Sequence, residues 1–501
     1  MRIKILLALL FPLVVKAQLQ VHRFFSDNMV LQRDQAISFG GTGIPGNSVN
    51  VSFGREHRRT TAKPDGSWNV LFKKRKADRQ PQQVVITSGR ERIELNNVLI
   101  GDVWICTGQS NMEWAFSREM HFREEQQLTN QPLLRFFNAD FAGKYVYKSL
   151  YTDSVKKRLN KDDFYRGTWQ QCDSNTVRPM SAVAYYFGKA IAASEDIPVG
   201  LINLSIGGAP IETFISYESL QHEFVSKTRG NWLENDELPE WTRQRGKENL
   251  GDKYNGSDSS GPDHAYKPGF AYKAGIELLQ SHKVKGVIFY QGESNSLELP
   301  RVMEYRKLMT VLIADYRKLW KQQDLPFYWV QLSSIDTVKY QSQFWPEFRN
   351  EQRLLLNELS NVGMAVSSDL GAKNDVHPTN KRDIGQRLAR WTLHDVYGRD
   401  IIPSGPLPVK AEARNGMLRI TFNYAGRQLT TTDTQLPRGF SVEGKDVPAI
   451  IKGTTIEMPL TGKPGYVCYG WSPFTTANLC NDEMLPASTF KLKIDYLNSN
   501  Q

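Results

Sequence analysis

The stretch GDVWICTGQSNMEW, residues 101–114, decides the predicted fold of this chain. Residues 103–106 form a short apolar run that contains β-branched and aromatic side chains, which is typical of a buried strand in a parallel sheet. Residues 107–111 favour turns and helix caps, so the strand ends where backbone N–H groups remain free beside the hydroxyl of Ser110. This serine is either a nucleophile or a helix cap, and capping is the commoner use of such serines. The rest of the chain has to separate these two interpretations.

Short apolar strands alternate with amphipathic helices beyond this stretch. Helices are predicted over residues 181–193, 271–279, 301–320 and 348–359, and strands over residues 199–205, 284–290, 327–332 and 363–366. This alternation predicts an α/β fold: a doubly wound, mostly parallel sheet with helices on both faces, flanked by small β domains at both ends. Ligands of such sheets bind at the carboxyl ends of the strands.

Four segments are predicted along the 501 residues. Residues 1–17 carry basic residues, a short apolar run and a small residue at the end, which predicts a signal peptide and export to the periplasm or the extracellular space. Short alternating runs broken by turn residues predict a β domain over residues 18–97 and another over residues 401–501. The central domain spans residues 98–400, and its polar stretch over residues 216–268 is predicted to be a loop over the site.

The charge of the chain does not predict a nucleic-acid partner. The net charge is +10 and the pI is about 9.2, but the basic residues are scattered apart from short runs such as residues 73–76. A solvated surface explains this distribution, and such a surface also attracts acidic substrates. No stretch after the signal peptide has the length of a membrane span.

The four cysteines suggest one disulfide in an exported chain. Cys468 and Cys480, separated by a loop with proline and asparagine, are the predicted pair. Cys106 lies on the predicted strand that leads to Ser110 and is predicted to be a small buried apolar residue, while the state of Cys172 is open. The cysteine spacing matches no zinc pattern, and we predict neither a metal nor a cofactor.

Polar turns follow four predicted strands, at residues 108–111, 205–208, 291–295 and 374–378. The carboxyl ends of the strands of a doubly wound sheet converge on one cleft, so these turns are expected to meet. An attacking serine needs a base, and His377 oriented by Asp375 provides one. The backbone N–H groups of Ser110 and Gly208 and the side-chain amide of Gln291 are the predicted oxyanion donors.

Each of these residues alone also has an ordinary structural interpretation. A lone histidine such as His377 is often a cap or a surface residue. The glycines at residues 207 and 208 can serve a tight turn, and Glu293 can anchor its own loop. Four such turns in one strand–helix alternation favour a functional site, because a purely structural account has to explain each turn separately.

An ordered set of motifs resembles the sialate O-acetylesterases of the SGNH hydrolase superfamily. The resemblance covers nearly the whole chain after the signal peptide and is carried by FSDNMVLQ at 25–32, GDVW at 101–104, GQSNM at 108–112, SAVAY at 181–185, Gly207-Gly208 with Glu212, YQGESN at 290–295, and DVHP at 375–378 with Asn380 and Lys381. It implies an SGNH-like esterase domain over residues 98–400, with Ser110 as nucleophile, His377 as base, and no metal.

Two positions depart from the superfamily pattern. The usual acid stands three residues before the histidine, where this chain has Asn374, and Asp375 stands two before it. The oxyanion asparagine of the superfamily has no certain counterpart, and Gln291 is preferred to Asn295. Candidate substrate-binding residues are Glu293, Asn111 and Arg178. Arg178 stands where relatives have a small or apolar residue, and it either binds a sugar carboxylate or forms a surface salt bridge.

The resulting hypothesis is a serine esterase that removes O-acetyl groups from sialic acids by a two-step acyl-enzyme mechanism. One alternative keeps the esterase and changes the substrate to acetylated xylan or another plant polysaccharide. An alternative from another class is a non-catalytic carbohydrate-binding surface protein. The predicted partner is an O-acetylated sugar, and the sequence fixes neither the acetyl position nor the oligomeric state.

Overall fold

A computed structural model describes residues 18–251, 258–338 and 340–497 of the chain. The predicted signal peptide over residues 1–17 lies outside the described residues. In the described ranges, no helix combines the length and apolar character needed to cross a membrane.

The N-terminal region is built from strands. Their bounds are β1 Gln20–Val21, β2 Val30–Gln32, β3 Ile37–Thr42, β4 Ser48–Phe53, β5 Glu56–Thr61, β6 Ser67–Phe72, β7 Asp78–Ser88 and β8 Glu91–Gly108. Strand β8 is 18 residues long and changes its environment along its length. Its first half alternates between exposed and buried side chains, whereas its second half is fully buried. The change from half-buried to buried marks its passage from the N-terminal region into the centre of the molecule.

The central region alternates strands and helices. Its strands are β9 Gln131–Asn138, β10 Asp140–Phe141, β11 Tyr165–Arg166, β12 Trp169–Cys172, β13 Val199–Asn203, β14 Gly286–Tyr290, β15 Phe327–Val330 and β16 Val362–Ala365. Its α-helices are α1 Ser110–Glu113, α2 Phe122–Glu125, α3 Asp153–Lys157, α4 Ala182–Glu195, α5 Tyr217–Glu223, α6 Glu240–Leu250, α7 Leu299–Trp320, α8 Trp345–Glu358 and α9 Arg382–Asp395.

The main sheet has the order β12-β9-β13-β8-β14-β15-β16. The strands from β9 to β16 in this order run parallel, while β12 is antiparallel to β9. The N-terminal part of β8 also pairs antiparallel with β7 and parallel with β2. Strand β7 pairs in turn with β4, and β4 with β5, so the complete sheet has 11 strands. The predicted doubly wound parallel sheet is therefore confirmed only in part, because the complete sheet is mixed.

Helices cover both faces of the parallel strands. The ring of Phe327 in β15 lies 6.0 Å from Tyr316 of α7, and the hydroxyl of the next residue, Tyr328, donates to Asp395 of α9 at 3.3 Å. Consecutive strand residues point to opposite faces, so α7 and α9 lie on opposite sides of the sheet.

One helix prediction and one loop prediction need correction. Residues 271–279 form a π-helix over Tyr272–Ile276 and a 3-10 turn over Glu277–Leu279 rather than an α-helix. The polar stretch predicted as a loop over residues 216–268 contains α5 and α6. The buried side of α6 consists of Thr242, Gly246, Asn249 and Leu250, so this helix lacks the apolar periodicity by which sequence patterns are recognised.

The C-terminal region is again built from strands and has its own apolar core. The strands are β17 Leu407–Arg414, β18 Met417–Asn423, β19 Leu429–Thr431, β20 Phe440–Val442, β21 Lys445–Asp446, β22 Ile450–Lys452, β23 Thr455–Pro459, β24 Tyr466–Tyr469, β25 Leu479–Asn481 and β26 Phe490–Tyr496. Arg349 of α8 is fully buried and donates to the carbonyl oxygens of Gly470 at 3.2 Å and Pro473 at 3.4 Å. These hydrogen bonds attach the C-terminal region to the central one.

The predicted disulfide between Cys468 and Cys480 is wrong, because all four cysteines are free thiols. Cys468 lies in β24, opposite Ser441 and Lys491, whereas Cys480 lies in β25, opposite Thr430. The two strands belong to different sheets, so the short sequence separation does not bring the sulfur atoms together.

Candidate active site

The turn that carries Ser110 is forced by the close approach of β8 and β14. Gly108 has a φ of +133°, and a Cβ atom there would lie 2.1 Å from the carbonyl oxygen of Tyr290. The N–H of Gln109 donates to the same oxygen at 2.9 Å. Only glycine fits this position, so the chain turns sharply and places Ser110 at the first residue of α1.

Ser110 does not cap a helix. The cap residue of α1 is Gln109, whose carbonyl oxygen accepts the N–H groups of Met112 and Glu113 at 2.9 Å. The Oγ of Ser110 instead lies 2.8 Å from Nε2 of His377. The structure thus brings together the serine and the histidine that the sequence singled out.

His377 lies in the loop between β16 and α9, packed face to face with an aromatic ring. The ring centroids of His377 and Trp114 are 5.3 Å apart with an interplanar angle of 21°. Burial lowers the pKa of His377, and the positive charge of Lys381 lowers it further. A histidine with a lowered pKa is neutral at neutral pH and accepts a proton there.

Asp375 lies beside His377 but is exposed to solvent. Its Oδ1 atom accepts the backbone N–H of His377 at 2.8 Å and lies 3.5 Å from Nδ1 of the ring. The side chain of Asp375 is 57 % exposed. The neighbouring Asn374 is also exposed. Asp375 is thus within ion-pair distance of the imidazole ring, but its carboxylate is exposed to water.

Ser110 and Gly208 both line the cleft, and each carries a backbone N–H group. Within the described chain, the N–H groups of Ser110 and Gly208 donate no hydrogen bond. Gly208 has a φ of +72°, and the preceding carbonyl, that of Gly207, accepts the hydroxyl of Tyr266 at 2.8 Å. This hydrogen bond fixes the turn whose free N–H is available to an oxyanion.

Gln291 is not available as the predicted oxyanion donor. Its amide NH2 donates to Asn295 at 2.8 Å and to the carbonyl of Ala209 at 3.3 Å, and its Oε1 accepts the hydroxyl of Tyr305 at 3.0 Å. The side chain is 1 % exposed and does not line the cleft. Gln291 therefore braces the loop that follows β14.

A buried polar network lies behind Ser110. Asn111 donates to Glu293 and to the carbonyl of Val376 at 3.0 Å, and it accepts from the amine of Lys381. All three network side chains are buried. Burial raises the pKa of Glu293 and lowers that of Lys381 to about 7. Asn111 thus joins the loops after β8, β14 and β16, a structural role rather than the expected contact with substrate.

The cleft at Ser110 has a volume of about 330 Å³. It is lined by the site residues Gln109, Ser110, Gly208, Glu293, Ser294 and His377, by the aromatic side chains Tyr147, Trp241, Tyr266 and Tyr340, and by Arg245, Leu297 and Val376. Among the described residues, no group of three or more histidine, cysteine, aspartate or glutamate side chains is arranged to hold a metal ion. Aromatic walls around a polar centre are typical of a sugar-binding cleft.

The predicted substrate-binding residues are placed unequally. Glu293 lines the cleft, but Arg178 is exposed outside it, with its guanidinium 4.9 Å from the ring centroid of Phe122. The sequence interpretation missed Trp241 and Arg245, since both lie on α6 within the presumed loop. Trp114 and Lys381 lie within or beside the quoted motifs, and this position was the only feature of the sequence that pointed to a place near the site.

Sequence comparisons show similarity to known carbohydrate esterases. A sequence profile described as "Carbohydrate esterase, sialic acid-specific acetylesterase" matches residues 265–394, which include His377. The sialate O-acetylesterase of Mus musculus is 27 % identical over 437 residues, covering 80 % of this chain and 78 % of that protein. The Homo sapiens sialate O-acetylesterase is 27 % identical over 473 residues, covering 86 % and 83 %.

The fold also resembles a solved carbohydrate esterase. The crystal structure of a carbohydrate acetylesterase from Xanthomonas citri superimposes with a TM-score of 0.77 at 28 % identity, covering 94 % of this chain and 99 % of that one. The similarity extends over the β-rich ends as well as the central region. The chain is therefore similar over most of its length to sialate O-acetylesterases and to a solved carbohydrate acetylesterase.

Proposed function

We propose that this protein is a serine esterase that removes O-acetyl groups from sialic acids through an acetyl-enzyme intermediate. The observation that carries the proposal is the 2.8 Å contact between Ser110 Oγ and His377 Nε2 inside an aromatic-walled cleft. A serine and a base in hydrogen-bond contact are what nucleophilic catalysis requires. The sialate O-acetylesterases among the relatives support the choice of substrate.

The proposed reaction has two half-reactions. Ser110 Oγ attacks the acetyl carbonyl carbon while Nε2 of His377 accepts the serine proton, and the sugar hydroxyl leaves with that proton. Water then attacks the acetyl-serine ester, giving its proton to His377, and acetate leaves as Ser110 regains a proton. The base works from a neutral ring whose Nδ1–H is directed toward Asp375, which stabilises the imidazolium that forms.

The oxyanion is proposed to rest on the backbone N–H groups of Ser110 and Gly208, which donate no hydrogen bond within the described chain. Loss of one such donor typically costs about 3 to 4 kcal/mol in an acyl-transfer enzyme. Gln109 connects the turn at Ser110 to the loop after β14, because its Oε1 accepts the N–H groups of Gly292 and Ser294 at 3.3 Å. Glu293 is proposed to contact the sugar, since its Oε2 is buried without a hydrogen-bond partner in the described structure.

The proposed site of action is the periplasm or the extracellular space. The support is the leader-like composition of residues 1–17. Fractionation of cells that express the full chain tests this assignment, because an exported enzyme is recovered outside the cytoplasm with a shortened N-terminus.

The central test measures acetate release from O-acetylated sialic acid and from acetylated xylan. Wild-type protein is expected to prefer the sialic acid, and Ser110→Ala is expected to abolish release from it while the exposed control Ser174→Ala retains it. Turnover by Ser110→Ala contradicts the nucleophile, and preference for xylan contradicts the substrate. Labelling of wild-type Ser110 by a fluorophosphonate separates the enzyme from a carbohydrate-binding protein, which is expected not to react.

A further inference from the structure

We propose that Arg245 binds the carboxylate of the acetylated sugar and thereby selects acidic sugars. This proposal rests on the proposed esterase function and concerns the same cleft. Arg245 lies on α6. Among the described residues it is the one lysine or arginine side chain that lines the cleft.

The guanidinium of Arg245 is largely withdrawn from water without being fully paired. Its side chain is 17 % exposed, and its Nε is buried with no hydrogen-bond partner among the described residues. Nε forms an ion pair with Glu248, three residues later on the helix, at 3.5 Å, while the terminal N–H groups of the guanidinium make no hydrogen bond among the described residues. A guanidinium carries five N–H donors, so Arg245 retains donors that a carboxylate can accept.

An aromatic ring supports the guanidinium. The Cζ atom of Arg245 lies 5.4 Å from the ring centroid of Tyr147. This stacking restricts the side chain before a ligand arrives, which reduces the entropy lost on binding. Burial, followed by the charge of Glu113, raises the pKa of Tyr147 to about 12, so the ring stays neutral beside the cation.

The same ring connects Arg245 to the proposed oxyanion turn. A Cβ atom on Gly207 would lie 2.5 Å from the hydroxyl of Tyr147, and Gly208 follows directly. Arg245 is therefore separated from the turn by one tyrosine side chain.

The other cations considered near the site do not line the cleft. Lys381 is buried and donates to Asn111, and Lys144 forms an ion pair with Glu113 at 3.5 Å. Arg118 is exposed, with its guanidinium 5.8 Å from the ring of Trp114. Arg178, the arginine that the sequence analysis named as a candidate for this role, does not line the cleft. The position and free donors of Arg245 therefore fit a carboxylate better than those of any of these four.

The test compares three esters: an O-acetylated sialic acid, its carboxyl methyl ester, and 4-nitrophenyl acetate. Arg245→Gln is expected to raise KM for the free acid by about tenfold or more, since a lost charge-assisted contact of about 1.5 to 3 kcal/mol corresponds to such a change. Its kcat/KM for the other two esters is expected to stay within about twofold. The matched control Arg178→Gln is expected to leave KM for the free acid and kcat/KM for the other two esters unchanged.

The outcomes separate this role from the proposed function. Equal losses on all three esters, or equal turnover of acid and methyl ester by wild type, overturn the assignment of Arg245 and leave the esterase intact. Absence of acetate release from any acetylated sugar by wild type contradicts the proposed function itself. Arg245→Lys keeps the charge but not the planar fork, and it is expected to recover part of the KM for the acid alone. Unfolding temperatures of the variants check that each one is folded.

Discussion

One carboxylate oxygen of Asp375 serves two parts of His377: Oδ1 accepts the backbone N–H at 2.8 Å and lies 3.5 Å from ring Nδ1. The backbone contact holds the loop in a turn, and the ring contact is the weaker of the two. Because Asp375 is 57 % exposed, water screens its charge from the imidazole. Asp375 is therefore expected to contribute only modestly to the proposed catalysis, unlike the buried carboxylate of a serine protease.

Asp375→Asn is expected to lower kcat by less than about tenfold, since an exposed ion pair contributes about 0.2 to 1 kcal/mol. Removing the carboxylate also lowers the pKa of His377 further, because Asp375 raises it. Asn374→Ala is expected to have no effect on kcat. Steady-state kinetics on acetylated substrate checks both variants. A thousandfold loss at Asp375, or any large loss at Asn374, contradicts the weak contact described above.

The rate is expected to fall on acidification with a midpoint below 6.5, the ordinary pKa of histidine. The rate falls towards acid because the neutral ring of His377 is the proposed base, and burial and Lys381 both disfavour its protonation. In that range Lys381 carries its charge, since its own pKa is about 7. Lys381→Met is therefore expected to move the midpoint of kcat/KM upward. The exposed Lys373→Met should shift it less, and an unchanged midpoint in Lys381→Met would remove the electrostatic link.

Gly208→Ala is expected to reduce kcat/KM by about a hundredfold or more, the usual cost of a displaced oxyanion donor. A Cβ there would lie 2.5 Å from the hydroxyl of Tyr266, at a φ of +72°. Gly230→Ala is the matched control, because Gly230 has a φ of +60° but nothing within 4 Å of the added Cβ. Both variants bear the cost of a left-handed alanine, so equal activity in the two would argue against the Gly208 donor.

Acid is expected to destabilise the fold through Glu212. Burial alone raises the pKa of this carboxyl, but Arg301, at 2.6 Å, and then Lys227 outweigh it and lower the pKa to about 2 from an ordinary 4.5. A depressed folded pKa stabilises the protein above the unfolded value and loses that contribution as pH falls from 4.5 towards 2.

Arg301→Met is expected to lower the free energy of unfolding at neutral pH by about 3 to 5 kcal/mol, because the buried carboxylate loses its main partner. Urea unfolding at neutral and acidic pH measures this change and its pH dependence. Arg55→Met, at an exposed position, is expected to change neither quantity. A similar loss at both pH values in Arg301→Met would exclude ionised Glu212 as the cause.

Titration of the unfolded protein with a thiol reagent is expected to count four thiols without prior reduction, as all four cysteines are free. In the folded protein the reaction is expected to be slow, since burial raises the pKa of Cys468 and of Cys480 to about 11. A count of two would restore the disulfide that the sequence suggested.

Local sequence patterns determined the strand–helix alternation, the turn at Ser110 and the turn at His377. These features follow from residues close together in the chain: Gly108 at a tight turn, Ser181 as a cap that accepts the N–H of Ala184 at 3.1 Å, and the apolar strands of a parallel sheet. Such signals depend on backbone geometry and on the burial of a strand or helix face, which a short window of residues records.

Only the tertiary structure decided which side chains face the cleft. Ser110 and His377 are 267 residues apart, and Gln291 found its hydrogen-bond partners on neighbouring loops instead of at the cleft. Arg245 lines the cleft because it lies on α6, a helix that has no apolar stripe by which the sequence would have revealed it. Arg178 lies outside the cleft. The direction of a polar side chain is set by partners distant in sequence, because each buried donor takes the nearest available acceptor in the folded protein.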